Sequence, residues 1–387
     1  MPATEVVLAD SVESLQRALE LLEPLRVLGI DVERADWDRY YRAAALVQVG
    51  GDGRVALIDP LALPDLPALH DFMADRIAVF HALENDLQPI ATLDVVPAEV
   101  HDTSIAASVL GLPTGLETLL RELIGVDLGA DKQAMQRANW EARPLTPAML
   151  DYAAGDVADL PALWTQLQHR LDETGRATWY EQELAAVLAL PSVEARRAWT
   201  RTKGLGRLDA AARARLQALW DVREELARST DTAPGRIASD AVLIDLATTP
   251  PSKVTELGRR GVRRQAVRTF GSALIAALDS VDSAAAQPRR GVRPPTEADR
   301  ANAEMLRRLR SQRAEELGIE AGVLCPNRML MSALLADAAT PADLDSALGL
   351  RPWQWEQLGA AFCEALDLQG PGKPAAVTAE ARNTDDG

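Results

Sequence analysis

Residues 26–33 read Arg-Val-Leu-Gly-Ile-Asp-Val-Glu, a short apolar run that ends in two acids. In an extended strand, side chains two positions apart leave the same face, so Asp31 and Glu33 project together from the strand end. Residues 45–49 (Ala-Leu-Val-Gln-Val) and 54–58 (Arg-Val-Ala-Leu-Ile) are two more strands. Gly50-Gly51-Asp52-Gly53 between them is a strong turn signal, which predicts an antiparallel hairpin. Residues 77–80 (Ile-Ala-Val-Phe) give a fourth strand and 99–101 (Glu-Val-His) a fifth. Helical patterns alternate with these over 11–22, 65–74, 84–93, 103–110 and 116–124. Strands interleaved with helices predict an α/β domain.

Thr146 is a good N-cap and Pro147 suits the first helical position. The helix they start runs through Tyr152 and Asp156 to Pro161, where a kink or break is expected. A further helical segment continues to about Leu171. Beyond residue 180 strand signals nearly vanish. Residues 205–282 read as short helices separated by 231–235 (Asp-Thr-Ala-Pro-Gly) and 249–252 (Thr-Pro-Pro-Ser). Residues 283–295 have linker composition. A second helical block over 296–367 follows the plan of the first: a long Arg-rich helix, a loop with Pro326, then short helices. The expectation is a repeated module, 194–282 and 296–367, behind an α/β domain over 1–180. Residues 368–387, rich in Gly, Pro, Ala and Asp, are predicted to be disordered.

The chain has 387 residues and is close to half apolar, ample for two or three domains. Its apolar stretches fall short of a membrane span, and its first residues lack a basic patch followed by an apolar run. The two cysteines, Cys325 and Cys363, have no partners at metal-ligand spacing, and the four histidines are scattered, which argues against zinc. A cytoplasmic protein without membrane association is the simplest expectation. The net charge of −16 disfavours nucleic acid, but its distribution does not. Residues 1–190 hold 13 Lys/Arg against 31 Asp/Glu, whereas residues 194–275 hold 16 against 9. Acidic sites hold divalent metals and basic faces hold phosphate backbones.

Three acidic motifs carry the chemistry. Asp31-Val32-Glu33 places two carboxylates on one strand face, where they repel unless a cation lies between them. Phe80-His81-Ala82-Leu83-Glu84-Asn85-Asp86 puts Asp86 in the first turn of a helix starting near Glu84, where an acid also complements the helix dipole. Tyr152-Ala153-Ala154-Gly155-Asp156 sets a phenol and a carboxylate on one helix face. Each alone has an ordinary structural explanation, such as a strand-end acid or a core tyrosine beside a surface acid.

Taken in order, the motifs resemble the DEDDy exonuclease superfamily, and flanking segments narrow the likeness to ribonuclease D. These are Leu57-Ile58-Asp59-Pro60, Asp102-Thr103 with Ile105-Ala106-Ala107, Leu110-Gly111, Gln136-Arg137-Ala138-Asn139-Trp140 and Arg143-Pro144-Leu145. Ala198-Trp199, Arg201, Lys203-Gly204, Leu219-Trp220, Arg223-Glu224, Ile237 and Asp240 resemble the helicase-and-RNase-D C-terminal (HRDC) domain, and 296–367 looks like a more divergent copy. The chain departs from the family pattern at Val32 and Arg34, where Thr and an aromatic are common, at Asn139, where an acid is frequent, and in the spacing of Lys132 to Trp140. No departure replaces a presumed ligand.

The resemblance implies a ribonuclease H-like mixed sheet followed by all-α domains. It implies that Asp31, Glu33, Asp86 and Asp156 bind two divalent ions, Mg²⁺ or Mn²⁺, and that Tyr152 orients the attacking water. The implied activity is 3′-to-5′ hydrolysis of RNA with a free 3′ end, such as a tRNA precursor, releasing nucleoside 5′-monophosphates. Arg196, Arg197, Arg201, Lys203 and Arg207, with the cluster from Arg259 to Arg268, are candidates to grip the phosphate backbone. The default oligomeric state is a monomer. Two alternatives stay open: a free-standing DNA exonuclease, since no polymerase palm or helicase phosphate loop is present, and a non-catalytic RNA-binding protein that kept the fold.

Overall fold

The strand that opens the sequence argument is β2 (Val27–Arg34), and it lies inside a six-stranded mixed sheet of order β1-β4-β3-β2-β5-β6. The other strands are β1 (Glu5–Ala9), β3 (Ala44–Gly51), β4 (Arg54–Ile58), β5 (Ile77–Phe80) and β6 (Glu99–Asp102). β2 and β3 pair antiparallel, as do β3 and β4, while β1–β4, β2–β5 and β5–β6 are parallel. The computed structural model describes residues 4–34, 38–41, 43–63, 65–128, 135, 138–191, 197–281, 295–336 and 338–368. Arg196, Lys132, Gln136, Arg137, nearly all of the expected linker and the expected tail lie outside the described residues.

The mixed α/β sheet and the helical region behind it match expectation, with local differences. Strand β1 was not expected, because Val6-Val7-Leu8 is too short a run to stand out. It forms by adding parallel to β4. The β3–β4 turn is shorter than the four-residue signal suggested. Gly50 and Gly51 stay in the strand, and only Asp52 and Gly53, both with positive φ, make the reversal.

Helices α1 (Val12–Leu22), α2 (Pro67–Met73) and α4 (Thr103–Leu110) follow the predicted pattern, α3 is Leu87–Ala91, and the helix expected over 116–124 is α5 (Leu116–Leu119) followed by a π-helical turn over Leu120–Ile124. The expected helix over 84–93 is split. Residues 83–85 form one 3₁₀ turn, and Asp86 stands at its junction with α3 rather than in a first helical turn. Helix α6 (Pro147–Ala158) starts where predicted, with Thr146 Oγ1 accepting from the Met149 amide at 3.3 Å. The break comes at Asp159, before Pro161, and α7 (Leu160–Glu173) carries that proline in its first turn. A proline there forfeits no intrahelical hydrogen bond, so it begins the new helix instead of ending the old one. Helix α8 (Ala177–Leu188) completes the α/β part.

The sheet core is continuous. Leu28, Ile30 and Val32 are buried on the β2 face opposite the acids, and Leu163, Trp164 and Leu167 of α7 join the same cluster. After it come α9 (Ala210–Ser229), α10 (Pro234–Ile237), α11 (Asp240–Thr248), α12 (Val254–Leu257) and α13 (Arg264–Asp279), with their own core of Leu216, Leu219, Leu243, Leu246 and Leu274.

The described chain falls into two compact units, one ending at residue 291 and one beginning at 292. The second unit contains α14 (Glu297–Leu317), α15 (Ala321–Leu324), α16 (Asn327–Leu335), α17 (Pro341–Leu348) and α18 (Pro352–Ala365). It repeats the helical plan of the first unit down to one buried arginine. Arg223 Nη1 donates to the Ala238 carbonyl at 3.1 Å and to Asp240 at 2.7 Å. Arg310 Nη1 donates to the Cys325 carbonyl at 2.7 Å and to Asn327 at 2.8 Å. The sequence separations, 15 and 17 residues, are the same in both modules. Cys325 and Cys363 are free thiols. Among the described residues no helix is long and apolar enough to cross a membrane.

Candidate active site

Alternation along β2 puts Gly29, Asp31 and Glu33 on one face. Helix α6 crosses that face at Gly29. A β-carbon built on Gly29 would meet the Val157 carbonyl oxygen at 2.4 Å, so only glycine lets the helix lie this close. Its cross-strand partner Gly50 is closed off mainly by β4, where a built β-carbon would meet the Arg54 carbonyl oxygen and Val55 Cγ2, each at 2.8 Å. Small residues on the helix, Ala153 and Ala154, are buried beneath it. This close docking brings Asp156 to the two strand acids. Carboxylate oxygens of Asp31, Glu33 and Asp156 lie within 4.8 Å of one another, a grouping able to hold a metal ion.

Asp86 is a charge neighbour of Asp31 and Glu33 and lies outside that three-residue grouping. It is only 4 % exposed, and its side chain makes no cap hydrogen bond to α3. Asp102 holds the segment in place. Its Oδ2 accepts from the Leu83 amide at 2.6 Å, and its Oδ1 accepts from the Ser104 and Ile105 amides at 2.7 and 3.0 Å. Thr103 Oγ1 donates to the Phe80 carbonyl and lies 2.8 Å from His81 Nδ1. The Asp102-Thr103 pair thus caps α4 and fixes the turn that carries Asp86.

The electrostatics follow from packing four acids together. Burial, then the charges of Asp31 and Asp156, push Glu33 up to about 9. Burial, then Asp31, push Asp86 up to about 9 as well. Tyr152 is held well above the ordinary phenol range by burial and by the Asp156 and Glu33 charges. A phenol so placed stays neutral. Its ring lies 6.0 Å from that of Trp140, whose indole N–H donates to the Met135 carbonyl at 3.1 Å. Hard oxygen ligands crowded at this density suit a divalent cation of the Mg²⁺ type, since a cation removes the repulsion that otherwise keeps two of them protonated. Asp31, Tyr152 and Asp156 open on a cleft of about 420 Å³ that His81, Glu117 and Leu160 also line.

Two supports lie outside the three acidic motifs. Arg143 clamps Asp59 through Nε at 2.5 Å and Nη2 at 2.8 Å, and Nη2 also reaches the Ala45 carbonyl at 2.8 Å. Burial alone would raise the Asp59 carboxyl, but this clamp brings it below its usual range. The other is Gln48, directly opposite Asp31 in the β2–β3 register. It is fully buried, and neither amide atom has a hydrogen-bond partner. A lone amide in an otherwise apolar strand was the available signal.

Of the candidate phosphate-binding residues that are described, Arg197 and Arg201 line one cleft, and Lys203 and Arg207 are not among its lining residues. Arg197 is drawn inward, 3.6 Å from Glu224 and over the Tyr40 ring at 5.0 Å. Arg201, Lys203 and Arg207 are exposed. In the second basic stretch Arg260 is bound to Asp245 at 2.6 Å, whereas Arg259, Arg263, Arg264 and Arg268 are exposed.

A family model described as 3′-5′ exonuclease matches residues 6–172, and the HRDC domain model matches twice, over 212–278 and 299–366. Ribonuclease D of Sphingobium indicum is 32% identical over 356 residues, covering 88% of each chain. Ribonuclease D of Pseudomonas paraeruginosa is 32% identical over 354 residues, covering 88% of this chain and 92% of that one. The crystal structure of Escherichia coli RNase D, an exoribonuclease involved in structured RNA processing, matches the fold. Its TM-score is 0.75 at 23% identity, covering 93% of this chain and 98% of that one.

Proposed function

The chain belongs to the ribonuclease D family and is a 3′-to-5′ exoribonuclease, and from that premise we propose how its residues divide the work. Asp31, Glu33, Asp86 and Asp156 hold two divalent ions, Mg²⁺ or Mn²⁺. The observation that carries this reading is the convergence of Asp31, Glu33 and Asp156 from a strand and a helix to within 4.8 Å. Bound there, such ions neutralise the phosphodiester charge, ease the ionisation of water and stabilise the leaving oxygen.

The chain's own side chains do the positioning. Tyr152, neutral and one helical turn before Asp156, orients the attacking water and takes no proton itself. Water oxygen bonds to phosphorus as its proton passes to solvent, the bond to the 3′ oxygen breaks and that oxygen takes up a proton from solvent, and a nucleoside 5′-monophosphate leaves from the free 3′ end. The cleft beside Tyr152 receives the terminal nucleotide. Residues 1–180 form the catalytic domain, and 194–282 and 296–367 form two HRDC domains joined by 283–295. Arg196, Arg197, Arg201, Lys203 and Arg207 contribute to the grip on RNA, and the substrates are tRNA precursors or other structured RNAs with a 3′ extension. The protein acts as a cytoplasmic monomer.

The test is mononucleotide release from a 3′-labelled single-stranded RNA, with Mg²⁺ or Mn²⁺ and with EDTA. Wild type releases label only with metal, Asp31→Ala abolishes release, and Tyr152→Phe slows it while still binding metal. Full activity of Asp31→Ala would overturn the ligand assignment. A matched DNA strand in parallel measures the preference for ribose.

A further inference from the structure

The first helical module contains a cleft roomier than the one at the acids, about 780 Å³. Arg197, Arg201, Trp220, Arg223, Glu224 and Asp240 help line it. The repeat between the modules separates what the fold requires from what the cleft adds. Matching Arg223 to Arg310 fixes the register at 87 residues, and the buried positions agree: Leu219 with Leu306, Ala227 with Ala314, Ile237 with Leu324, Leu243 with Leu330. In that register Arg307 stands for Trp220 and Ser311 for Glu224. The module folds around the arginine without the tryptophan or the glutamate.

Glu224 is the unexplained group. It is 4 % exposed, and its Oε1 accepts from Arg223 Nη2 at 3.2 Å. Its Oε2 is buried with no hydrogen-bond donor, the nearest cation being Arg197 Nη1 at 3.6 Å. A buried carboxylate oxygen is costly without a donor. A bare phosphate brings no donor and would be repelled by it. A nucleotide fits all three features: every nucleobase has an N–H donor on its edge and a face for an indole, and its phosphate suits an exposed arginine. The surrounding stretch, 194–275, has 16 basic against 9 acidic residues, which favours a polyanion.

We propose that this cleft is a nucleotide-binding subsite for single-stranded RNA, with a base against Trp220, its N–H edge toward Glu224 Oε2 and a phosphate at Arg201. The choice of RNA as the chain that enters it rests on the exoribonuclease reading above. Such a subsite is tolerant of sequence and lies apart from the four acids in the chain.

The experiment is fluorescence anisotropy of the full-length protein with a labelled single-stranded RNA of roughly 20 nucleotides, in EDTA so that binding is read without hydrolysis. Trp220→Ala weakens binding by about 10-fold or more, the scale of one stacked base, and Trp220→Phe restores most of it. Arg201→Ala, at an exposed position, lowers the slope of log affinity against log salt by about 0.7, one phosphate contact on a single strand. Wild-type binding by both alanine variants would overturn the proposal. So would a Trp220→Phe variant as weak as Trp220→Ala, because the tryptophan would then serve packing. Since no turnover is required, a failure of RNA hydrolysis would leave this measurement intact and be seen separately.

Discussion

At the Glu33 carboxyl, burial and the neighbouring Asp31 and Asp156 charges raise the pKa from 4.5 to about 9, and Asp86 rises from 3.8 to about 9. Between the ordinary and the raised values the folded protein keeps protons that the unfolded chain has released. Stability without metal therefore falls as pH climbs through that window, the penalty being absent below about 4 and complete above about 9. Melting temperature in EDTA is expected to drop steadily between pH 5 and pH 9, and Glu33→Gln should flatten the decline. Ligation requires the ionised carboxylates, so stabilisation by Mg²⁺ or Mn²⁺ should grow over the same range. Thermal shift with and without metal at three pH values checks both. The acids themselves were legible in the sequence because carboxylates at fixed spacing are written in it. Gln48 was not read as part of the site, because its burial opposite Asp31 depends on the register of β3.

Between elements, the decisive contact is α6 on β2. Gly29→Ala puts a methyl group 2.4 Å from the Val157 carbonyl oxygen, which belongs to backbone and cannot swing away. The helix must lift, carrying Tyr152 and Asp156 from the strand acids. A loss of about 2 kcal/mol, typical of overpacking, is expected together with a fall in kcat larger than any change in KM. Denaturant unfolding and steady-state kinetics measure the two effects, and an unchanged kcat would separate the docking from catalysis. A second contact ties the β2–β3 connection to the first helical module. Asp231 Oδ1 accepts from the Tyr40 and Tyr41 amides, each at 3.1 Å, and the Ala233 amide donates to the Asp38 carbonyl at 3.0 Å. Arg236 pairs with Asp38, and the Tyr40 ring is buried with Ala227 and Ile237. Asp231→Ala is expected to cost about 1–2 kcal/mol, since two amides lose one charged acceptor at a partly exposed site. Asp231→Asn should recover most of it, because asparagine accepts the same bonds and tolerates the positive φ of 44° found there. Comparing unfolding midpoints of the pair tests this. Helix starts such as Thr146-Pro147 were readable locally. The split of 84–93 and the break at Asp159 were not, because a chain-terminating turn and a tolerated proline look alike until the neighbouring segments are placed.

Over the whole molecule, the two compact units each have a buried core, Leu216, Leu219 and Leu243 in the first module and Leu306, Leu330 and Trp353 in the second. A chain ending at residue 291 is expected to unfold cooperatively and to retain metal-dependent release of mononucleotides from a short RNA. Loss of its melting transition would show that the first unit needs the second. The sequence by itself determined the class of fold, and it displayed the acidic motifs and the repetition of a helical module. Strand alternation, helix capping and motif order are local properties that one chain displays without neighbours. Only the tertiary structure decided that the glycine at 29 admits helix α6, that Asp102 and Thr103 hold the turn of Asp86, and that Tyr40 is held by Asp231 across 191 residues of chain. It also decided that Arg197 turns inward to Glu224 while Arg201 stays exposed. Those outcomes depend on close approach and on which buried polar groups find partners, and distance along the chain does not encode either.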